Sequence, residues 1–258
     1  MSYPVLAGAE PFSFDGGDVG VLLLHGFTGS PQGLRPWGEA LREAGFTVRC
    51  PRLPGHGTDW RDLAARRAPE MVAASERALD ELAERCGKVV VGALSFGGAL
   101  ALHLVATRPD KVRGLVTVNP WLYSKDRRLL LLPVLKLLVA SAPGVGSDLA
   151  DSEARELAYE HVPLRTLASL RSFQRGVRAA LPRVTQPLLC FVSRHDHVVD
   201  PGNTELVAAR AGSDDLRVVW LEHSYHVATL DLERHAIFDG SIEFFRRVTG
   251  AGRAQPKT

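Results

Sequence analysis

KVVVGALSFGGALAL, residues 88–102, runs from three valines through Gly92 and Ala93 to a lone serine, Ser95, then into two glycines and an alanine-rich stretch of helical composition. A buried strand that turns sharply into a helix at Ser95 leaves the first helical N–H groups without intrahelical partners, all facing one spot. Such a corner suits a helix N-cap, a role that serine fills well. It equally suits a nucleophile set beside ready-made anion binders. Nucleophilic duty requires a base to take the hydroxyl proton and an acid to fix the tautomer of that base.

Working outward, strand-like runs recur at 19–24 (VGVLLL), 46–50 (FTVRC), 88–94 (KVVVGAL), 114–118 (GLVTV), 187–193 (PLLCFVS) and 216–221 (LRVVWL). Between most of them lie amphipathic stretches of helical period, such as LRPWGEALREAG from 34 and MVAASERALDELAERC from 71. Near-continuous apolar strands alternating with helices predict an α/β fold with a mostly parallel central sheet covered on both faces. One gap breaks the rhythm. Between Pro120 and Pro187 the apolar run LLLLPVLKLLVA (129–140) is followed by a Gly/Pro/Ser loop and two expected helices, at about 152–160 and 164–180, with no convincing strand. The reading is therefore a core of 1–120 and 186–258 with a helical cap, 121–185, inserted over the C-terminal strand ends, where open α/β sheets bind ligands. The apolar run is expected to border an acyl channel, and the tail from 250 to fray.

Partners for Ser95 must also sit just past strand ends. Asp196 follows PLLCFVS, and His226 follows LRVVWL by a few residues. Asp200 precedes Pro201 deeper in the same turn and ranks below Asp196. His223 is nearer its strand, but the loop needs length to bring an imidazole back over the serine. His195 and His197 flank Asp196 in extended chain and could share a face toward a metal; with no further ligands evident, they read as surface histidines. A developing oxyanion needs two donors, and the backbone N–H of Phe96 and of Phe27, which follows the flexible Gly26, are the candidates.

Bulk properties narrow the classes. The 258 residues are 45% hydrophobic and 23% charged, with net charge +2 and both signs interspersed, so the overall charge makes no case for nucleic acid or an anionic membrane surface. Three cysteines, 50, 86 and 190, lack CxxC spacing, which argues against a disulfide framework or zinc site and suits a reducing, cytoplasmic compartment. MSYPVLAGAE shows no secretory pattern, and the 129–140 run, broken by Pro133 and Lys136, is too short to span a bilayer.

HGFTG (25–29), PRLPGHGT (51–58), ALSFGG (93–98), HDHVVDPGN (195–203) and SYHVATLD (224–231), in the chain order Ser, Asp, His, together resemble the α/β-hydrolase superfamily. In particular they resemble bacterial monoacylglycerol lipases and related carboxylesterases. The similarity runs from YPVLAGAEPF (3–12) through GSDL (146–149) and ELAYE (156–160) to SIEFF (241–245). It implies a triad of Ser95, Asp196 and His226, an oxyanion hole at Phe27 and Phe96, and no cofactor or metal. It also raises Glu156 above Glu153 and Glu160, its neighbours on the expected cap helix, as a contact for the glycerol moiety. Two positions depart from the pattern: Ala93 stands where a glycine is usual, and the ring of Phe96 is expected to narrow the acyl pocket. The implied activity is hydrolysis of monoacylglycerols or similar short-to-medium esters, with transient lipid contact through the cap. A general carboxylesterase or thioesterase is the alternative, and a non-catalytic ligand-binding protein stands further off because binding alone has no need of the Asp.

Overall fold

The computed structural model describes residues 3–251. The expected tail falls, from Gly252 onward, outside the described residues. Among the described residues nine strands form: β1 (Phe12–Phe14), β2 (Val19–Leu24), β3 (Thr47–Cys50), β4 (Lys88–Leu94), β5 (Val112–Val118), β6 (Ser141–Pro143), β7 (His161–Pro163), β8 (Leu188–Ser193) and β9 (Leu216–Leu221). The helices are α1 (Arg35–Glu43), α2 (Trp60–Ala64), α3 (Ala68–Arg85), α4 (Phe96–Thr107), α5 (Leu132–Leu138), α6 (Leu164–Ala180), α7 (Gly202–Arg210) and α8 (Arg234–Thr249). Seven strands make one sheet in the order β1-β3-β2-β4-β5-β8-β9, parallel throughout except for β1, which pairs antiparallel with β3.

Alternation along β2 shows why its sequence is uniformly apolar. Leu22 and Leu24 join the core under α3, α4 and α6, whereas Val21 and Leu23 join the opposite core under α1 and α8. A strand buried on both faces has no position left for polar residues. The chain leaves β2 toward β3 on one side and leaves β4 toward β5 on the other. The crevice between β2 and β4 is thus the switch point of the sheet, where ligands of such sheets bind. Ser95 follows β4 and Gly26–Phe27 follow β2, flanking that crevice.

The connection between β5 and β8 leaves the sheet. It holds α5, α6 and a two-stranded antiparallel pair, β6–β7, that sequence patterning did not show. The helix expected at 152–160 does not form. Its amides and carbonyls are claimed from outside: Leu157 N–H donates to Gln32 Oε1, Arg155 C=O accepts from Gln32 Nε2, and Tyr159 N–H donates to Thr28 C=O. Tertiary contacts here override a modest helical preference. The apolar run also departs from expectation. Only Leu132 of α5 is buried, packed on Leu164 and Leu167, while Leu130, Leu131, Leu137 and Leu138 are 60–76% exposed.

The tightest constraint lies where α4 meets β2. A methyl group on Gly97 would sit 2.0 Å from the Leu24 carbonyl oxygen, a backbone atom that cannot swing away. Gly97→Ala is expected to cost about 3 kcal/mol or more. At roughly 2–4 °C per kcal/mol for a chain of this size, calorimetry should show a Tm lowered by at least about 6 °C, and an unchanged Tm would refute this account of the junction.

Candidate active site

Ser95 is held at φ 55°, ψ −120°, a backbone conformation that non-glycine residues avoid. Such conformations cost of order 1–3 kcal/mol and persist where the surroundings over-determine them. Here Ser95 N–H donates to Val118 C=O (2.9 Å), and its own carbonyl accepts from Gly98 N–H (2.9 Å) and Trp121 N–H (3.0 Å). The side chain makes no N-cap bond to α4. Its Oγ lies instead 2.9 Å from Nε2 of His226.

His226 Nδ1 stands 2.7 Å from Asp196 Oδ2. A carboxylate can only accept, so Nδ1 carries the proton and Nε2 is left to receive the serine proton. Asp196 is itself fixed by the amides of Val198 (2.8 Å) and Val199 (2.7 Å), both donating to Oδ1. Asp200 is otherwise engaged, with Lys125 Nζ at 2.8 Å and the Gly202 amide at the start of α7. His223 and His195 are exposed, and His197 meets Asp148. No group of three or more His, Cys, Asp or Glu among the described residues is arranged around a metal ion.

Burial alone would push the His226 imidazole down. The charge of Asp196, the hydrogen bond to it, and the charges of Glu156 and Asp148 outweigh this, and the net shift is upward from 6.5.

The Ser95 hydroxyl opens into a cavity of about 150 Å³, walled chiefly by Phe27, Leu94, Trp121, Val162, Leu167 and Val199, with His226 and Glu156 as its ionisable groups. None of residues 129–140 lines it, which corrects the expectation of an acyl channel bordered by that run. The Phe96 ring is likewise absent from the walls; it lies behind them, packed edge-on to Phe27, Trp121 and Phe173. The Ala93 methyl is fully buried in the core under α4, while the adjacent Gly92 is the position that tolerates no side chain, with Leu23 and Trp37 within 2.8 Å of its missing Cβ. Phe27 lines the cavity and Phe96 directly follows Ser95 in the chain; neither amide donates to a protein acceptor among the described residues.

Glu156 reaches the cavity from a segment without regular secondary structure rather than a helix; Glu153 and Glu160 stay exposed. Its Oε1 occupies space left by Gly29, where a Cβ would come within 2.6 Å. No donor among the described residues bonds its carboxylate, and burial, opposed by His226, raises its pKa to about 7.

Several supporting residues carry no sequence signal specific enough to single them out. Asn119, at φ 46° after β5, donates to the His226 carbonyl (2.8 Å) and accepts from the Ser193 amide (2.8 Å), tying the histidine loop to the end of β8. Buried His25 donates from Nδ1 to the Gly26 carbonyl (2.9 Å) and accepts at Nε2 from Leu53 N–H (3.1 Å). Burial, followed by neighbouring His56, drops its pKa to about 3, so it stays neutral and fixes the turn carrying Phe27. Tyr159 Oη receives Thr58 N–H (2.7 Å) and donates to Gly55 C=O (2.9 Å), anchoring the insertion over this site.

A mostly parallel sheet with a strained serine at its switch point, reached by a histidine and an aspartate from later strand ends, defines an α/β-hydrolase with a serine-hydrolase site. Residues 18–233 match the family described as Hydrolase_4: serine aminopeptidase, S33, and the chain belongs to it. It is 40% identical over 255 residues to a thermostable monoacylglycerol lipase of Bacillus sp. (strain H-257), covering 96% of this chain and 98% of that one. With a carboxylesterase of Bacillus subtilis (strain 168) the identity is 29% over 240 residues, covering 93% and 97%. A solved structure from work on LipS and LipT, two metagenome-derived lipolytic enzymes, superimposes with a TM-score of 0.92 at 40% identity, over 95% of this chain and 100% of that one. The chain thus stands among the lipases and esterases of its fold.

The Glu156 carboxylate is held at a cost to stability that depends on pH. An acid whose folded pKa is raised penalises the folded state once pH exceeds its unfolded value near 4.5, and the penalty grows until about pH 7. Glu156→Gln removes it. The Tm advantage of the variant over wild type should be absent near pH 4 and rise to the equivalent of about 1–3 kcal/mol at pH 8; an advantage that does not change with pH would contradict this.

Proposed function

We propose that this chain hydrolyses monoacylglycerols or similar short-to-medium carboxylic esters, with Ser95 as nucleophile, His226 as base and Asp196 as its orienting acid. Ser95 Oγ attacks the ester carbonyl while its proton passes to His226 Nε2; the Phe27 and Phe96 amides receive the oxyanion. His226 then returns the proton to the departing alkoxide, leaving an acyl-serine. Water attacks that ester with the same histidine as base, and the acid departs as Ser95 regains its proton. The observation that carries this reading is the continuous Ser95–His226–Asp196 hydrogen-bond chain opening on an apolar cavity. The 40% identity to a monoacylglycerol lipase supports the substrate class. A cavity below the ~300–1,000 Å³ usual for drug-sized ligands favours short-to-medium acyl groups.

Glu156 distinguishes a monoacylglycerol from a plain ester. An unpartnered carboxylate in an apolar pocket suits the two free hydroxyls of a glycerol leaving group, which would otherwise lose about 1–3 kcal/mol each when buried unpaired. Residues 121–185 then act as a cap bearing both this contact and a lipid-facing exterior. On that exterior the exposed leucines of α5 sit beside Arg165, which bonds the Lys136 carbonyl, and Arg171 bonds the carbonyl of Leu129 just before that helix; neither makes an ion pair among the described residues. Apolar side chains flanked by unpaired cations suit transient contact with a lipid surface. No helix among the described residues is long and apolar enough to cross a membrane. Three buried free cysteines support a reducing, cytoplasmic setting. A general carboxylesterase or thioesterase, with the same chemistry on another leaving group, is the competing reading.

Ser95→Ala should fold normally and lose on the order of 10⁶ in kcat; retention of a tenth of the activity would sink the assignment. Glu156→Ala should lower kcat/KM several-fold or more for a monoacylglycerol and leave a p-nitrophenyl ester of the same acyl chain nearly untouched. Equal losses on both would point to cap folding instead. In sedimentation with phosphatidylglycerol vesicles, wild type should partition with the lipid and a Leu137→Ser, Leu138→Ser double variant should stay behind; equal partitioning would remove the lipid-facing role.

A further inference from the structure

The GSDL stretch contributes Asp148, a residue that takes no part in the chemistry above. Its carboxylate lies against two loops: the one past β8 that bears Asp196, and the one past β9 that bears His226. Oδ2 of Asp148 accepts the backbone N–H of His197 (3.2 Å) and the backbone N–H of His226 itself (3.1 Å). Oδ1 accepts from His197 Nδ1 at 2.9 Å. The Asp148 carbonyl also receives Val227 N–H at 3.2 Å. The exchange is reciprocal. Buried Asp231, from the histidine loop, accepts the amides of Ala150 (2.9 Å) and Asp151 (2.9 Å) as well as that of Tyr225 (2.8 Å).

From this geometry, and resting on the reading of His226 as base, we propose that Asp148 is a positioning residue for the catalytic pair: one carboxylate, delivered by the insertion, sets the spacing between the Asp196 and His226 loops. With its side chain only 11% exposed, the carboxylate acts where water screens it little, so its hydrogen bonds and its charge both reach the imidazole at strength. It does not line the cavity, so substrate does not touch it.

Asp148→Asn tests this while nearly preserving shape. Asparagine keeps one acceptor oxygen for the two amides that Oδ2 takes and sets an NH₂ against the His197 ring in place of Oδ1, so the negative charge and the charge assistance of both backbone bonds disappear. The groups facing His226 are Asp196 from the β8 loop and Glu156 and Asp148 from the insertion, with His197 joined to it through Asp148. Removing a negative neighbour makes the imidazole easier to deprotonate. The acid limb of the kcat/KM profile, which reports the neutral base, should therefore move to lower pH. At the plateau, kcat should fall about tenfold, the loss of charge assistance from the two backbone hydrogen bonds being felt in the transition state, with KM unchanged within about twofold. Activity is expressed per site titrated by the p-nitrophenol burst, so any misfolded fraction drops out. His197→Ala, which removes the ring contact and keeps both amide bonds, should stay within about twofold of wild type. An Asp148→Asn enzyme with wild-type kcat and an unmoved acid limb overturns the proposal, as does a tenfold loss in His197→Ala, which would place the effect in the ring. Ser95→Ala assayed alongside separates the two readings: if it remains active, the nucleophile assignment beneath this proposal has fallen, whereas an inactive Ser95→Ala beside an unaltered Asp148→Asn overturns the role of Asp148 alone.

Discussion

The backbone of Ser95 sits where a residue with a Cβ is disfavoured, and the surrounding structure is arranged so that it has no alternative. Pairing of Leu24 with Ala93 sets β2 and β4 in a register that brings Gly26 level with the serine, where a Cβ on Gly26 would crowd the Ser95 Cβ at 3.3 Å. Gly97 lets α4 start directly against the Leu24 carbonyl, and Gly98 lets it pass Pro120. A relaxed serine would need α4 to lift away from the sheet and forfeit the fully buried contacts of Phe96, Ala99 and Leu102. The strain is thus outweighed by packing that the core needs in any case. Its yield is a hydroxyl pushed out of the helix path, with the Phe96 amide left free beside it.

Much of this was legible because a buried parallel strand leaves a plain signature. The runs read at 19–24 and 88–94 coincide with β2 and β4, since each is apolar on both faces and bounded by charge or glycine, and the run at 216–221 coincides with edge strand β9, apolar apart from exposed Arg217. Strands of three residues give no such signature. β1 is an edge strand whose Phe-Ser-Phe alternation is too short to stand out, and β6 and β7 exist through pairing with each other across a long loop. The helix expected at 152–160 failed for a different cause: its spacing of glutamates and alanines suits a helix, but Gln32 and Thr28 take its backbone groups first. Glu156 consequently reaches the cavity by a route that helical geometry did not describe. The leucines of 129–140 show the limit of periodicity, because an apolar composition says that a segment avoids water without saying what will cover it.

Site residues were readable to the extent that chemistry demands a particular side chain just past a strand. Ser95, Asp196 and His226 meet that demand, and the structure brings them within hydrogen-bond distance. Asn119, Asp148 and Asp231 do not announce themselves, because their work is to accept or donate to backbone groups from distant segments. Any Asn or Asp in the chain could do this, and only the fold selects which one does.

On the reading of His226 as the base, its environment is a balance between two opposed needs. A base must be neutral at rest, and burial, the largest single influence on this imidazole, favours that. In the transition state the same ring becomes an imidazolium inside an apolar pocket, which burial alone would make prohibitive. Asp196, Glu156 and Asp148 supply the negative charge that makes the ion tolerable, and their sum outweighs burial. Of the three, Glu156 is the one with no hydrogen-bond donor among the described residues, and its pKa of about 7 puts it at the edge of ionisation near neutral pH. On the reading of Glu156 as the acceptor of glycerol hydroxyls, those donors favour its charged form. That added charge in turn strengthens His226 as a base, so a leaving group able to donate to Glu156 would raise the reactivity of Ser95 as well as its own affinity. Discrimination for the alcohol would then appear in kcat, where a contact confined to binding would appear in KM alone.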